Sequence, residues 1–257
     1  DRPSKDAHGA YLSLVHTLGT RTGELHVALA MRSRDAAFDP EPVEDADFGA
    51  WAGRVREEAE ATLAVLERQY TQLPVPARDD AQRIVEQRDE LFERIDTLAA
   101  ARGAKLKTRY HGDYHLGQVL LVQNDFVITD FEGEPGRSIT ERRRKGAPLR
   151  DVAGMLRSFD YARWTALRRA GGRRQDVNGA AEMLRQWESE TRRQFLAAYA
   201  ATTRDCGLYA EFGAARGLLA LFELEKALYE IRYELGNRPG WVGVPLQGVL
   251  ALAGIGE

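Results

Sequence analysis

Two short segments hold the residues best suited to chemistry, HGDYHLGQ from His111 to Gln118 and ITDFEGEP from Ile128 to Pro135. Asp113 follows Gly112 in a stretch with further freedom at Gly117, which predicts a carboxylate fixed on a tight loop. Asp130 and Glu132 leave an apolar run two residues apart, and they share a side if extended geometry persists. A short hairpin between the segments would bring Asp113, Gln118, Asp130 and Glu132 to one end. Oxygen ligands of this kind suit magnesium, which takes one or two carboxylates together with phosphate and water. The remaining aspartate is then free to accept a proton from a hydroxyl. This is the pattern of phosphoryl transfer, in which one aspartate orients the nucleophile, an amide about five residues on helps hold metal, and a later aspartate bridges metal to phosphate. Either tripeptide alone, HGD or DFE, is more often a capped polar loop. Together at hairpin spacing they favour the chemistry.

The elements that must position these residues follow from periodicity. Val119 to Val122 and Phe126 to Thr129 are β-branched and aromatic-rich, with the turn formers Gln123-Asn124-Asp125 between them, so a hairpin is predicted. Most of the remainder reads as helix. Apolar residues recur at helical spacing from Ala10 to Met31, where Gly19 and Gly23 either weaken the helix or let another element pack closely. A loop from Asp39 to Asp47 precedes two polar helices, Phe48 to Tyr70 and Asp79 to Ala101, expected to pair antiparallel around Leu73-Pro74-Val75-Pro76. Helices are predicted again over Pro148 to Arg168, Ala180 to Ala201, Tyr209 to Leu235 and Leu246 to Leu252, with a break at Gly171 to Arg174. The fold class is mainly α with a small β-hairpin. It divides into a helical part at 1-104, a catalytic loop and metal-binding hairpin at 105-147, and a helical acceptor-binding part at 148-257.

Composition narrows the function classes. The 257 residues are 44% hydrophobic and 29% charged with a formal charge of -3. That describes a soluble globular chain without the one-sided charge of a nucleic-acid binder or membrane-surface protein. No apolar run is long enough for a membrane span. Cys206 is the single cysteine, so no internal disulfide can form, and a reducing cytoplasm is expected. There is neither a signal peptide nor an initiator methionine, and Asp1 reads as a cut or an internal boundary.

HGDYHLGQ resembles the H-G-D-x-x-x-x-N loop of the aminoglycoside phosphotransferase and choline kinase superfamily, with Gln118 in place of asparagine. ITDFEGEP resembles the superfamily's metal-binding segment. Together with PLRDVAGMLRSFDYA, these runs are similar to maltokinases, including those fused behind trehalose synthase, over about Tyr11 to Leu246. The resemblance implies a protein-kinase-like, aminoglycoside phosphotransferase-type C-terminal lobe that uses ATP to phosphorylate maltose, giving maltose 1-phosphate for glycogen synthesis. It implies Asp113 as catalytic base, Gln118 and Asp130 as magnesium ligands, and Glu132 as an auxiliary metal or water ligand. Trehalose synthase, fused or associated, is the implied partner.

Lys226, Tyr229, Glu230 and Tyr233 fall at i, i+3, i+4 and i+7, and the helix-ending Asn237 and Pro239 then lead to Trp241. Taken alone this is better explained by a surface ion pair beside core tyrosines. With the resemblance, Lys226, Tyr229, Glu230 and Trp241 become sugar contacts, joined by Tyr161 at the acceptor border and by Asp130. His111 either contacts a sugar hydroxyl or fixes the loop, and His115 reads as structural. A zinc site is disfavoured because no cysteine or third histidine accompanies them. Asp151 reads as a helix-start or loop anchor, and Arg142 to Lys145 as a solvated basic loop. No glycine-rich phosphate loop with its lysine is visible, so an N-terminal nucleotide-binding lobe is expected outside this chain. Two alternatives stay open. One is a kinase for another acceptor such as glucosamine, a small alcohol or an aminoglycoside. The other is a non-catalytic module that binds sugar or docks onto trehalose synthase.

Overall fold

The structure, a computed structural model, describes residues 5-134, 136-171 and 177-255. Its elements in chain order are α1 (Lys5–Leu29), β1 (Glu41–Pro42), α2 (Asp45–Gln69), α3 (Val75–Glu86), α4 (Arg88–Ala99), β2 (Leu106–Lys107), β3 (Val119–Val122), β4 (Asp125–Ile128), α5 (Ile139–Arg142), α6 (Leu149–Gly171), α7 (Val177–Thr202), α8 (Arg216–Asn237) and α9 (Gly243–Ala253). The chain is mostly helical with two small antiparallel pairs, β1 with β2 and β3 with β4. It divides into two compact units, one of residues 1-42 and 105-212, the other of 43-104 and 213-257. No helix among the described residues is long and apolar enough to cross a membrane.

In the first unit α7 packs on α1 and on α6. The approach to α1 is close because Gly19 and Gly23 present no side chain: a Cβ on Gly19 would meet the Phe195 carbonyl, and one on Gly23 would lie 2.7 Å from Thr202. These glycines therefore serve contact rather than breakage. Val15 and Leu18 of α1, Leu149, Val152, Met155, Leu156 and Phe159 of α6, and Phe195 and Tyr199 of α7 are buried there. The hairpin β3–β4 lies beside α1. Its turn is tighter than predicted, since Asp125 joins the strand opposite Val122. Gln123 and Asn124 alone make the reversal, at φ +50° and +64°, the left-handed pair whose twist matches the strands.

The second unit is a helical bundle in which α2 packs on α8 and α4, and α3 and α8 pack on α9. Phe48, Trp51, Val55, Leu63 and Leu66 form the buried stripe of α2; Trp51 meets Phe222 of α8 edge to face at 5.6 Å. The predicted helix Asp79 to Ala101 is two helices, broken at Gln87 (φ −100°, ψ 38°). Periodicity alone could not show this, because the buried positions Ala77, Ala81, Ile84, Leu91, Ile95 and Leu98 keep helical spacing across the break. The first half also starts earlier, at Val75, since Pro76 fits a first helical turn. The last long helix starts at Arg216, not Tyr209. Tyr209 is instead a buried loop residue whose hydroxyl is 2.6 Å from that of Tyr199. Of the predicted break at Gly171 to Arg174, residues 172-174 lie outside the described residues.

Candidate active site

The loop that carries Asp113 is built on a carboxylate from another element. Asp151, in the first turn of α6, accepts the His111 N–H on Oδ2 at 2.7 Å and the Gly112 N–H on Oδ1 at 2.9 Å. Gly112 sits at φ +86°, a left-handed conformation that glycine adopts without cost. The His111 ring lies underneath. Its Nε2 is 2.8 Å from the Thr129 carbonyl, which can only accept, so the proton is on Nε2. Nδ1 is then the acceptor for the Asp113 N–H at 3.3 Å. Further along, the buried Tyr114 hydroxyl is 2.8 Å from Thr22 Oγ1 of α1. Because that Oγ1 already donates to the Leu18 carbonyl, Tyr114 is the donor, and burial raises its pKa in keeping with a retained proton. The Leu116 N–H donates to Ser158 Oγ at 3.0 Å, and His115 Nδ1 accepts the Gly117 N–H at 3.0 Å.

Asp130 is delivered by the hairpin. Arg21 of α1 grips the hairpin turn through two 2.8 Å bonds to the Asp125 carboxylate, which lower the pKa of that acid. At the other end of the hairpin the Thr129 N–H donates to the Gln118 carbonyl at 2.9 Å. Asp130 then leaves the ladder at φ +64°. Strand alternation therefore stops before it, and the condition under which Asp130 and Glu132 would share a side is not met. A non-glycine residue held in this region costs of order 1 kcal/mol or more, and such residues concentrate at functional sites. The Gln118 side-chain amide donates to Asp130 Oδ2 at 2.9 Å. The two segments also touch through their glycine turns: a Cβ on Gly112 would stand 3.3 Å from Gly133 Cα.

The structure thus joins the segment that carries His111 and Asp113 to the one that carries Asp130, and pairs Gln118 with Asp130. Asp113 is partly exposed, with Oδ2 3.9 Å from His115 Nε2. Glu132 is exposed in the following turn, and its carbonyl accepts from Arg142 Nη1 at 3.4 Å. His111 is buried with both ring nitrogens engaged by the protein, which is the loop-fixing arrangement. Tyr161 is half-buried on α6, continuing the face of Asp151, Gly154 and Ser158 at helical spacing. Among the described residues no three or more His, Cys, Asp or Glu side chains gather as a metal cage. An Asp130 carboxylate beside a Gln118 amide still fits magnesium, which binds through few protein ligands plus phosphate oxygens. Lys145 is engaged away from this loop, by Glu41 and the Ala36 carbonyl at 2.7 Å each.

Of the expected sugar contacts, His111, Asp130 and Tyr161 belong to the first unit, and Lys226, Tyr229, Glu230 and Trp241 to the second. On α8, Lys226 Nζ lies 5.1 Å from the Tyr229 ring centroid, and Tyr229 stacks on Tyr233 at 6.3 Å. Glu230 is buried on the same helix. Trp241 lies in the short turn Pro239–Trp241, with the Arg238 guanidinium 5.7 Å from its ring.

Sequence reasoning named Asp151 as a helix start or loop anchor, and it is both, but passed over the other residues that hold the loop from behind. Asp151, Gly154 and Ser158 form one face of α6, and a Cβ on Gly154 would lie only 2.5 Å from the Tyr114 carbonyl. On α1, Thr22 and His26 sit one turn apart and fully buried, and His26 Nε2 is 3.1 Å from Asp151 Oδ2. The available signal was that both polar residues interrupt a buried stripe with Val15 and Leu18, a position polar side chains take only when paired.

Comparison with known proteins places this arrangement on a kinase-like fold. The matching proteins are glucosamine kinases. One from Streptacidiphilus jiangxiensis is 30% identical over 234 residues, covering 89% of this chain and 46% of the relative. Another, from Mycolicibacterium smegmatis, is 27% identical over 243 residues, covering 95% and 54%. A solved glucosamine kinase in complex with glucosamine, ADP and inorganic phosphate superposes with a TM-score of 0.74 at 27% identity, over 95% of this chain and 52% of that one. A second solved glucosamine kinase gives a TM-score of 0.70 at 26% identity. No family model matches. The chain spans about half the length of the relatives it matches.

These matches correct the maltokinase assignment and its placement in the aminoglycoside phosphotransferase superfamily. With it go maltose as acceptor, the path to glycogen and the trehalose synthase partner, since the relatives and structural neighbours are glucosamine kinases.

Proposed function

We propose that this chain is the catalytic and acceptor-binding part, the C-terminal lobe of a protein-kinase-like fold, of a cytoplasmic ATP-dependent glucosamine kinase. The observation that carries the reading is the pairing of Asp113 and Asp130 segments through His111, Gln118 and the Gly112–Gly133 approach, on a fold shared with glucosamine kinases. Asp113 takes the proton of the attacking sugar hydroxyl as its oxygen bonds to the γ-phosphorus and the bond to the ADP oxygen breaks. Gln118 and Asp130, with Glu132 behind them, would hold magnesium, which neutralises phosphate charge when bound. The nucleotide-binding lobe is assigned to chain beyond these residues. Lys226, Tyr229, Glu230, Trp241 and Tyr161 are the proposed acceptor contacts. Glucosamine is proposed over maltose because the relatives and the solved structures that this chain resembles are glucosamine kinases.

The test is ADP release by the full-length protein with glucosamine, glucose and maltose, and with Asp113→Asn. Glucosamine should be the preferred acceptor, and Asp113→Asn should lower kcat by about 100-fold or more with little change in glucosamine binding. Equal rates on the three sugars would reject the acceptor, and near-normal turnover in the variant would reject the base.

A further inference from the structure

Behind the catalytic loop lies a chain of buried polar groups that the reaction does not use. Tyr209 OH is 2.6 Å from Tyr199 OH, Tyr199 OH is 2.8 Å from His26 Nδ1, and His26 Nε2 is 3.1 Å from Asp151 Oδ2. All four side chains are buried. The direction of the bond at the carboxylate is fixed: Asp151 can only accept and already takes two backbone N–H groups from the loop, so the His26 ring is a third donor, through Nε2–H. On its other side Nδ1 meets the Tyr199 hydroxyl, which in turn meets that of Tyr209. Burial raises the pKa of both phenols, in keeping with retained protons.

The single Asp151 carboxylate must meet both the His111 and Gly112 N–H groups in one orientation for Gly112 to hold φ +86° and aim Asp113. Two rotatable bonds would otherwise let it swing. His26 is fixed at both ring nitrogens and is delivered by α1, one turn from Thr22, which holds Tyr114 of the same loop. We propose that His26, oriented by Tyr199 and Tyr209, is a positioning residue that locks the Asp151 carboxylate and through it the His111–Asp113 turn.

This rests on the proposed kinase reading only for its activity readout. The test compares His26→Leu, His26→Gln and Tyr199→Phe with the parent in the full-length protein, by steady-state kinetics and by hydrogen exchange of peptides spanning residues 108-116. His26→Leu should speed exchange locally at the loop and lower kcat about 10- to 100-fold with a smaller change in KM, the range expected for a misplaced reacting group. His26→Gln keeps an N–H near the Nε2 position and should restore most of both, and Tyr199→Phe should fall between. Unchanged loop exchange and kcat in a folded His26→Leu protein would overturn the proposal. So would exchange raised throughout α1, α6 and α7, which marks core packing alone, or a glutamine variant no better than leucine. If the parent protein phosphorylates no sugar, the kinase reading fails while the exchange comparison still judges His26.

Discussion

Replacing one oxygen of Asp151 tests the site without touching a reacting group. In Asp151→Asn the amide oxygen settles where two donors converge, the His111 N–H at 2.7 Å and His26 Nε2–H at 3.1 Å, and the new NH2 then faces the Gly112 N–H, formerly bonded at 2.9 Å. One hydrogen bond to a carboxylate becomes two opposed donors in a buried position. The loss of such a bond is worth about 2 kcal/mol. If the whole cost falls on the turn, the population with Asp113 correctly placed drops by up to about 30-fold, at 1.36 kcal/mol per tenfold. Turnover should fall by that order while glucosamine KM changes little, since Asp151 is shut away from solvent. The assay is kcat and KM of the full-length protein, with a thermal melt to show that the fold survives. A variant with wild-type kcat would refute the reasoning, because it would mean that the turn holds Asp113 without its carboxylate anchor. A change confined to KM would refute it equally.

Other expectations concern the packing behind the loop. Gly154→Ala places a methyl 2.5 Å from the Tyr114 carbonyl, a backbone atom that must move, so it should destabilise by about 1–3 kcal/mol and lower kcat; an unchanged melt would contradict the contact. Glu188 of α7 has its pKa pushed up to about 7, first by burial and then by the neighbouring Asp160 carboxylate, against the pull of Arg163 and Arg192. Its folded pKa lies above the unfolded value of 4.5, so its stabilising protonation is complete below that value and is lost as pH rises through 7. Glu188→Gln should therefore gain on the parent in stability between pH 5 and 8, by on the order of 1 kcal/mol after allowance for solvent screening, read as the slope of melting temperature against pH. Identical slopes for the two proteins would exclude a raised carboxyl here. Asp160 has a lowered pKa, so it titrates below this window and leaves the comparison clean.

The parts of the molecule legible in the sequence were those whose physics is local. The hairpin announced itself through β-branched runs about a polar turn, and its two-residue reversal at Gln123-Asn124 differs from expectation only by assigning Asp125 to a strand. The long helices of the first unit, α1, α6 and α7, were found within about five residues because their buried stripes repeat at 3.6, whereas the four-residue α5, too short for a period, fell where a loop was expected. What escaped depends on contacts far apart in sequence. The break at Gln87 leaves the apolar period intact, and α3 and α4 differ in their partners, with α3 meeting α9 and α4 meeting α2 and α8. His26 and Asp151 are separated by 125 residues; His26 drew no reading of its own, and Asp151 read as a helix start or loop anchor with no partner named. Nothing short of the fold places them 3.1 Å apart.

The misread acceptor has a different origin. In the reading proposed above, HGDYHLGQ and ITDFEGEP would deprotonate the attacking hydroxyl and hold metal, steps that are the same whichever sugar bears that hydroxyl, so these segments carry no information about the sugar. Discrimination between acceptors rests on a few polar contacts, where a buried group left without its partner costs far more than a missing methylene. The α8 residues first matched to maltose are aromatic rings and a lysine, which suit any pyranose. Lys226 and Glu230 carry opposite charges on one helix, so the set as a whole has no single charge preference. The turn from maltose to glucosamine therefore comes from the glucosamine kinase matches and not from any one side chain of that face.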